Sequence, residues 1–217
     1  GSQFSRASAK LRGARNAGTS RDIIVAFGTP LPISTDAEML KHRVFDLSIE
    51  AWSEFSKSLP GIPQAWIRAS RKLGSDMAIR DAFGRSLSGS RALAGGMVLS
   101  RRLRRLNPRQ NVGLLFPTSM HGMLANMAAL MAGKTVVNLN FTADGESLCA
   151  AVMLAELDRV FTSREVIKRL GERGVDLQAL LQRVEVHYLE DISAGIGRAE
   201  RRAALVAVKL LPAMVLE

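Results

Sequence analysis

The chain has 217 residues, 47% hydrophobic and 23% charged, a composition that predicts a globular protein and excludes a disordered one. A single cysteine, Cys149, excludes a disulfide framework and a multi-cysteine zinc site, and indicates a reducing, cytoplasmic setting. The formal net charge of +10 is uneven, because residues 1–110 carry +11 and residues 111–217 carry −1.

The uneven charge indicates an anionic membrane surface or a nucleic acid as a possible partner of the N-terminal half. A transmembrane helix needs roughly 18 or more uninterrupted apolar residues, and no segment of this chain offers them. The first residues also lack a signal-peptide pattern. We therefore expect no membrane span.

The N-terminal region predicts a basic disordered tail followed by a small strand–helix appendage. Residues 1–21 are small and basic, without apolar periodicity. Asp22–Phe27 is a compact apolar run that predicts a strand, which Pro30 and Pro32 end. Thr35 or Asp36 is placed to cap a helix that runs to about Phe55 and carries Trp52. We assign residues 22–58 to this appendage.

Residues 59–76 predict a linker that contains one short helix. Gln64–Lys72 is amphipathic, and Trp66 lies near Arg68, Arg71 and Lys72. Tryptophan beside cations is typical of a membrane interface, so these residues, with Trp52, are candidates for a membrane or anion patch. The alternative is that Trp66 packs onto the neighbouring domain.

A hairpin and a basic helix are predicted next. Met77–Asp81 and Arg85–Ser88 flank a turn, and a helix follows from Arg91 to about Leu106. Cations near a helix C-terminus are favourable against the helix dipole, so a solvated face and an anionic partner both account for the four arginines there. These candidates are Arg101, Arg102, Arg104 and Arg105.

The remainder of the chain alternates strands with helices. Val112–Phe116 and Thr135–Leu139 are apolar, β-branched runs that predict strands buried on both faces of a parallel sheet. Between them a helix is predicted from Met120 to Ala132, capped by Thr118 or Ser119 and ended by Gly133. Further predicted helices are Asp144–Leu157, Ser163–Leu170, Asp176–Gln182 and Arg198–Leu211, and further strands are Arg159–Thr162 and Val184–Leu189.

This alternation predicts an α/β fold with an open, mainly parallel sheet and flanking helices. No glycine-rich phosphate loop and no nucleophile elbow is present in the sequence. His42, His121 and His187 lack paired metal-ligand spacing, so we interpret them as structural or surface histidines and expect no metal site. Two H-x-x-x-D pairs lack the additional intervening residue that a glycerolipid acyltransferase needs. No catalytic residue is assigned.

Four segments in one order, DAFGRSLSGSRAL, VGLLFPTSMHGMLANMAALMAGKTVVNLNFT, VFTSREVIKRL and VEVHYLED, resemble the start of the large subdomain of adenylate-forming (AMP-binding) enzymes. The phrases NLNFT, TSR and YLED are most similar to the synthetase half of bifunctional bacterial lysophospholipid acyltransferase/acyl-acyl-carrier-protein synthetases. IIVAFGTPLP and LSIEAW resemble the end of the acyltransferase domain that precedes that half.

The resemblance implies that residues 77–217 are the first part of an adenylate-forming domain, cut before its phosphate loop, and that this chain alone is inactive. For the parent enzyme it implies ATP and Mg²⁺, a fatty acid, an acyl-carrier protein and a lysophospholipid, at the cytoplasmic side of the inner membrane. No cofactor is expected within these 217 residues.

Open α/β sheets bind ligands at the carboxyl ends of their strands. Ser119, Asn140 and Thr142 lie at that edge of the predicted sheet, and they are the candidates for contacting a substrate directly or through a neighbouring side chain. An alternative function is a non-catalytic module whose basic N-terminal half binds anionic membrane or nucleic acid. A free-standing nucleotide-binding domain is a third, weakened by the missing phosphate loop.

Overall fold

The computed structural model describes residues 23–82 and 84–212, and the tail predicted for residues 1–21 lies outside them. The chain divides into two compact units, Gly1–Leu59 and Pro60–Glu217. The domain boundaries inferred from the sequence remain predictions.

In the first unit, the described residues form one helix, α1 (Ala37–Ser56). It begins where predicted, because the Asp36 carboxylate accepts hydrogen bonds of 2.9 Å from the backbone N–H groups of Glu38 and Met39. No residue of α1 is buried. The helix therefore draws little stability from packing.

The strand predicted at Asp22–Phe27 is wrong. Residues 23–32 are exposed and form no strand, and Asp22 lies outside the described residues. A strand is held by hydrogen bonds to a neighbouring strand, and the described part of this unit offers none. The apolar pattern of the segment was correct for a strand, but pairing decides whether one forms.

The second unit opens with α2 (Ile62–Leu73), the strands β1 (Met77–Arg80) and β2 (Ser86–Ser88), and α3 (Gly89–Leu106). The two strands pair antiparallel, which confirms the predicted hairpin. Its turn is built by Asp81, whose side chain is only 2% exposed and accepts hydrogen bonds from the Arg85 backbone N–H and Nε, each 3.0 Å. Gly84 adopts a φ of 78°, a left-handed conformation that favours glycine.

A four-stranded, wholly parallel sheet forms the centre of this unit, as the sequence predicted. Its order is β4-β3-β5-β6. The strands are β3 (Asn111–Leu114), β4 (Thr135–Asn138), β5 (Arg159–Thr162) and β6 (Glu185–Tyr188). The helices that connect and follow them are α4 (Met120–Met131), α5 (Gly145–Leu154), α6 (Arg164–Glu172), α7 (Gln178–Arg183), α8 (Leu189–Ala194) and α9 (Arg198–Leu210).

Helices cover both faces of the sheet. On one face, α3, α4 and α8 pack on Val112, Leu114 and Phe161. On the other, α5, α6 and α7 pack on Leu115 and Val160. Burial on both faces explains why the strands read as continuous apolar runs rather than alternating ones.

Several element boundaries differ from the predicted ones, and two of the differences are as follows. The last strand was expected to reach Leu189, but it ends at Tyr188, and Leu189 begins α8, a helix that was not predicted. The helix expected to break near Gly171 continues to Glu172, and Gly174 then turns the chain with a φ of 75°.

The helix α4 buries a face of small residues. Ser119 caps it, as predicted, by accepting a 3.2 Å hydrogen bond from the Gly122 backbone N–H. Ala125, Ala128 and Ala129 are fully buried, whereas Met123 is 39% exposed. Small side chains let α4 approach α3 and the sheet closely.

Candidate ligand-binding site

The carboxyl ends of β3 and β5 lie side by side at the point where the chain reverses its direction across the sheet. From β3 the chain moves outward to β4, and from β4 it returns to β5 on the other side of β3. Such a switch point creates a crevice at the carboxyl edge of an open α/β sheet. The Thr162 hydroxyl, fully buried, donates a 2.7 Å hydrogen bond to the Leu115 carbonyl and joins the two strand ends.

A cavity of about 690 Å³ lies beside this edge, on the α3 and α4 face of the sheet. This volume is in the range of small-molecule sites in proteins. Its walls are mainly apolar, with side chains from β2, α3, α4, α8 and α9, among them Leu87, Val98, Leu99, Leu124, Leu189 and Leu205. Six charged or polar residues line it, namely Arg91, His121, Ser163, Glu190, Ser193 and Arg201.

Three of these polar side chains are held in place by hydrogen bonds within the fold. The Ser163 hydroxyl caps α6 by accepting a 3.3 Å hydrogen bond from the Val166 backbone N–H. Glu190 accepts a 3.0 Å bond from the Arg164 backbone N–H, and Arg201 donates a 2.8 Å bond to the Ser193 carbonyl. The cavity is therefore bordered by fixed polar groups.

His121, in the first turn of α4, has the clearest electrostatic perturbation at the cavity. Burial lowers the pKa of His121 from its ordinary value, and the nearby Arg85 guanidinium lowers it further. Glu190 and Asp81 oppose that change. The net result favours a neutral imidazole at pH 7, which is able both to donate and to accept a hydrogen bond.

Chemically, this arrangement suits binding better than catalysis. The apolar walls accept an apolar group, and Arg91 and Arg201 at the border favour a negative charge. Ser163 and Ser193 are the hydroxyl residues among the described lining residues, and no hydrogen bond joins either of them to His121 in the described part of the chain. The pair needed to activate a serine nucleophile is therefore not assembled.

The three candidates from the sequence lie at the predicted edge but not in the cavity. Ser119 caps α4. Asn140 and Thr142 follow β4, where the Asn140 side-chain oxygen accepts bonds from the Thr142 N–H (3.0 Å) and hydroxyl (2.7 Å). None of the three is among the described residues that line the cavity.

The loop that carries Asn140 and Thr142 is held in place by hydrogen bonds from the end of α6. Arg173, at the end of α6, donates to the Phe141 carbonyl at 2.9 Å and to the Thr142 carbonyl at 3.1 Å. The position of this loop therefore depends on α6 as well as on β4.

The candidate tryptophans have different surroundings. Trp52 belongs to the first unit, is 59% exposed, and lies 5.8 Å from Phe55 between ring centroids. Trp66 is half-buried in the second unit and packs against α3, where the end of its ring lies over Gly96. The arrangement of Trp66 matches the packing alternative.

Several of the candidate cations make contacts within the fold, and most of them are exposed to solvent. Arg71 donates to the Leu211 carbonyl, Arg104 to the Met131 carbonyl at 3.4 Å, and Arg102 to Glu200 at 2.6 Å. Arg105 borders a smaller cavity of about 370 Å³ beside β6, together with Arg102 and His187. The side chains exposed to solvent are Arg68, Lys72, Arg101, Arg104 and Arg105.

The sequence did not point to the residues that border the larger cavity. His121 was interpreted as a structural or surface histidine, and Glu190, Arg91 and Arg201 were not singled out for a site. His121 and Glu190 both follow strands at the carboxyl edge, which is the signal that selected Ser119. Arg91 and Arg201 enter from α3 and α9, and only the packing of those helices brings them there.

In residues 23–82 and 84–212, no group of three or more histidine, cysteine, aspartate or glutamate side chains is placed to hold a metal ion. No helix of those residues has the length and hydropathy to cross a bilayer.

No family model matches the sequence. Among solved structures, the chain is similar to that of VinN, with a TM-score of 0.51 and 18% identity over 68% of this chain and 37% of VinN. The complex of VinN with 3-methylaspartate gives a TM-score of 0.51 and 19% identity over 68% and 38% of the two chains. For MatB from Rhodopseudomonas palustris the TM-score is 0.48, with 21% identity over 61% and 28%, which is too distant to carry an argument.

The chain thus spans a little over a third of the length of VinN. At this identity the likeness shows the fold, and the activity of a whole enzyme does not follow from it. The parallel sheet flanked by helices is the fold that the chain shares with VinN.

Proposed function

We propose that the chain is part of an ATP-dependent enzyme that activates a carboxylic acid as an acyl-adenylate. The observation that carries the proposal is the likeness to VinN over 68% of this chain. The order of the sequence segments from Asp81 to Asp191 supports the same assignment independently. VinN has also been crystallised with L-aspartate, so that neighbour binds a small acid.

In the proposed reaction, the carboxylate of a fatty acid attacks the α-phosphate of ATP and releases pyrophosphate. A thiol of an acyl-carrier protein then displaces AMP, and the acyl group passes on to a lysophospholipid at the inner membrane. These finer assignments rest on the resemblance to bifunctional acyltransferase/synthetases. In this scheme residues 22–58 are the end of the acyltransferase domain.

The described residues contribute scaffold to this reaction. The resemblance implies Mg²⁺, but the described part of the chain brings no three metal-ligand side chains together, so no step is assigned to a metal ion held here. Ser119, Asn140 and Thr142 are proposed to contact substrate, or residues that do, at the carboxyl edge. Arg173 would position the last two.

The test is exchange of labelled pyrophosphate into ATP, measured with a series of carboxylic acids. The chain alone is expected to give no exchange above background, because the resemblance places the phosphate loop and catalytic lysine beyond it. The longer parent protein is expected to give exchange that depends on fatty acid.

Two results would contradict the proposal. Exchange by the 217-residue chain alone would show that it is more than scaffold. A parent protein without acid-dependent exchange would remove the proposed function altogether. The variant Arg173→Gln in the parent protein tests the role of the loop that carries Asn140 and Thr142. If that loop contacts substrate, the variant should raise the KM for the acid more than it lowers kcat.

A further inference from the structure

The positive charge of the second unit is concentrated in three helices that pack together. The helices α2, α3 and α9 share one hydrophobic cluster, which includes Ile67, Leu93 and Val208. Together they carry twelve Lys and Arg residues and one acidic residue, Glu200, a net charge of +11. The helices on the opposite face, α5, α6 and α7, carry +1. The excess therefore belongs to one layer of the fold, including α9 from the C-terminal half.

The outward side of α9 combines cations with apolar side chains. Ala204 and Val208 are buried against the cluster. On the opposite side of the helix, Arg202 and Lys209 are exposed. The apolar side chains beside them are Val206, 52% exposed, and Leu210, 76% exposed.

The outward side of α2 has the same character. Ile67 and Ser70 are buried, while Arg68, Lys72 and Leu73 are exposed. The C-terminal ends of α2 and α9 are joined, because the Arg71 guanidinium donates a hydrogen bond to the Leu211 carbonyl. Neither helix presents an acidic residue on its outward side. Both outward sides are of mixed cationic and apolar character, and the two helices meet at their C-terminal ends.

The single acidic residue of the layer does not neutralise this region. Glu200 is bound to Arg102 at 2.6 Å, and both side chains are 29% exposed. This pair is made with α3, away from the outward side of α9. Ten of the twelve cationic residues in the layer are exposed.

We propose that the outward sides of α2 and α9 dock on an anionic lipid surface. Lysine and arginine are attracted to lipid phosphates, and exposed aliphatic side chains between them gain by leaving water for the headgroup boundary. Nucleic acid also attracts cations, but its interfaces are polar, and the exposed Val206, Leu210 and Leu73 would remain solvated there. The lipid surface is the partner that uses both kinds of side chain.

This surface is independent of acid activation, since it involves neither the carboxyl edge of the sheet nor the cavity residues. The proposed function could fail in the exchange assay while the docking surface remains, and the reverse also holds.

The experiment is sedimentation of the full chain with phosphatidylcholine vesicles, with and without phosphatidylglycerol. Binding is expected only with the anionic lipid. Replacing Lys72→Gln together with Lys209→Gln should weaken it by about 5-fold for each lysine removed, or roughly 25-fold in all. Replacing Val206→Ser together with Leu210→Ser should also weaken binding at unchanged charge.

The matched control removes the same charge from the opposite face, with Lys168→Gln and Arg183→Gln, and should bind like the unaltered chain. Circular dichroism of each variant checks that it is folded. Equal weakening in the control, no effect of the serine pair, or tighter binding to a short DNA duplex than to anionic vesicles would each overturn the proposal.

Discussion

Two adjacent glycines in α3 differ in their surroundings, and this makes them a test of how Trp66 is packed. A Cβ on Gly96 would lie 2.6 Å from the Trp66 ring, whereas a Cβ on Gly95 would meet no atom within 4 Å. Alanine is favoured over glycine within a helix by up to about 1 kcal/mol. Only at position 96 is that gain opposed by a clash.

We therefore expect Gly95→Ala to stabilise the protein and Gly96→Ala to be less stable than Gly95→Ala by about 1–3 kcal/mol, the usual cost of overpacking. Urea unfolding followed by tryptophan fluorescence measures both. Equal stability of the two variants would show that Trp66 does not pack on α3, and would leave it available for a membrane interface.

His187 is expected to make folding stability depend on pH. Its ring stacks on the buried Phe161, with centroids 4.9 Å apart, and its Nε2 is buried without a hydrogen-bond partner among the described residues. Burial lowers the pKa of His187 below its usual 6.5, although Glu185, 3.3 Å from Nε2, opposes this and Arg159 reinforces it.

Because the unfolded chain binds a proton at His187 more readily than the folded one, the free energy of unfolding should fall as the pH drops below 6.5. His121, whose pKa is also lowered, acts in the same direction. His187→Phe keeps the stacking, removes the titration and should flatten the dependence. His42→Gln, on an exposed position of α1, is the control, and an unchanged slope in His187→Phe would contradict the assignment.

At the scale of elements, α1 and α3 have nearly equal lengths and opposite environments. In α3, nine residues are buried, and in α1 none is. An isolated helix of about 20 residues is marginal in water, since packing of an apolar face supplies most helical stability in proteins.

Hydrogen exchange followed residue by residue should therefore show rapid exchange in α1 and strong protection in α3. Asp36→Ala removes the cap and should accelerate exchange further in α1 while leaving α3 unchanged. Protection of α1 equal to that of α3 would mean that α1 is covered in solution.

The elements of the second unit could be predicted because local signals agreed with the global fold. Caps at Ser119 and Ser163, and glycine after α4, specify boundaries through nearby backbone atoms alone. The strand expected at Asp22–Phe27 failed for the converse reason, since its existence depends on a distant partner. The helix α8 was missed because Leu189 continues the apolar run of β6 without a break.

The cavity was beyond prediction for a related reason. Its residues come from β2, α3, α4, α8 and α9, and no local pattern relates Arg91 to Arg201. The expected sheet edge was correct and led to Ser119, Asn140 and Thr142. The position of the cavity along that edge depends on the distances of α3 and α9 from α8, and packing sets those distances.

At the scale of the second unit, the sheet separates two layers of helices that differ in charge. The layer of α2, α3 and α9 carries +11, and the layer of α5, α6 and α7 carries +1. This separation gives the unit an electric dipole moment directed across the sheet. The negative surface of a cation-exchange bead therefore orients the unit before contact, with α5, α6 and α7 facing the solvent. Retention on the bead then reflects the charge of the α2, α3 and α9 layer, and it exceeds the retention that the net charge of the unit implies.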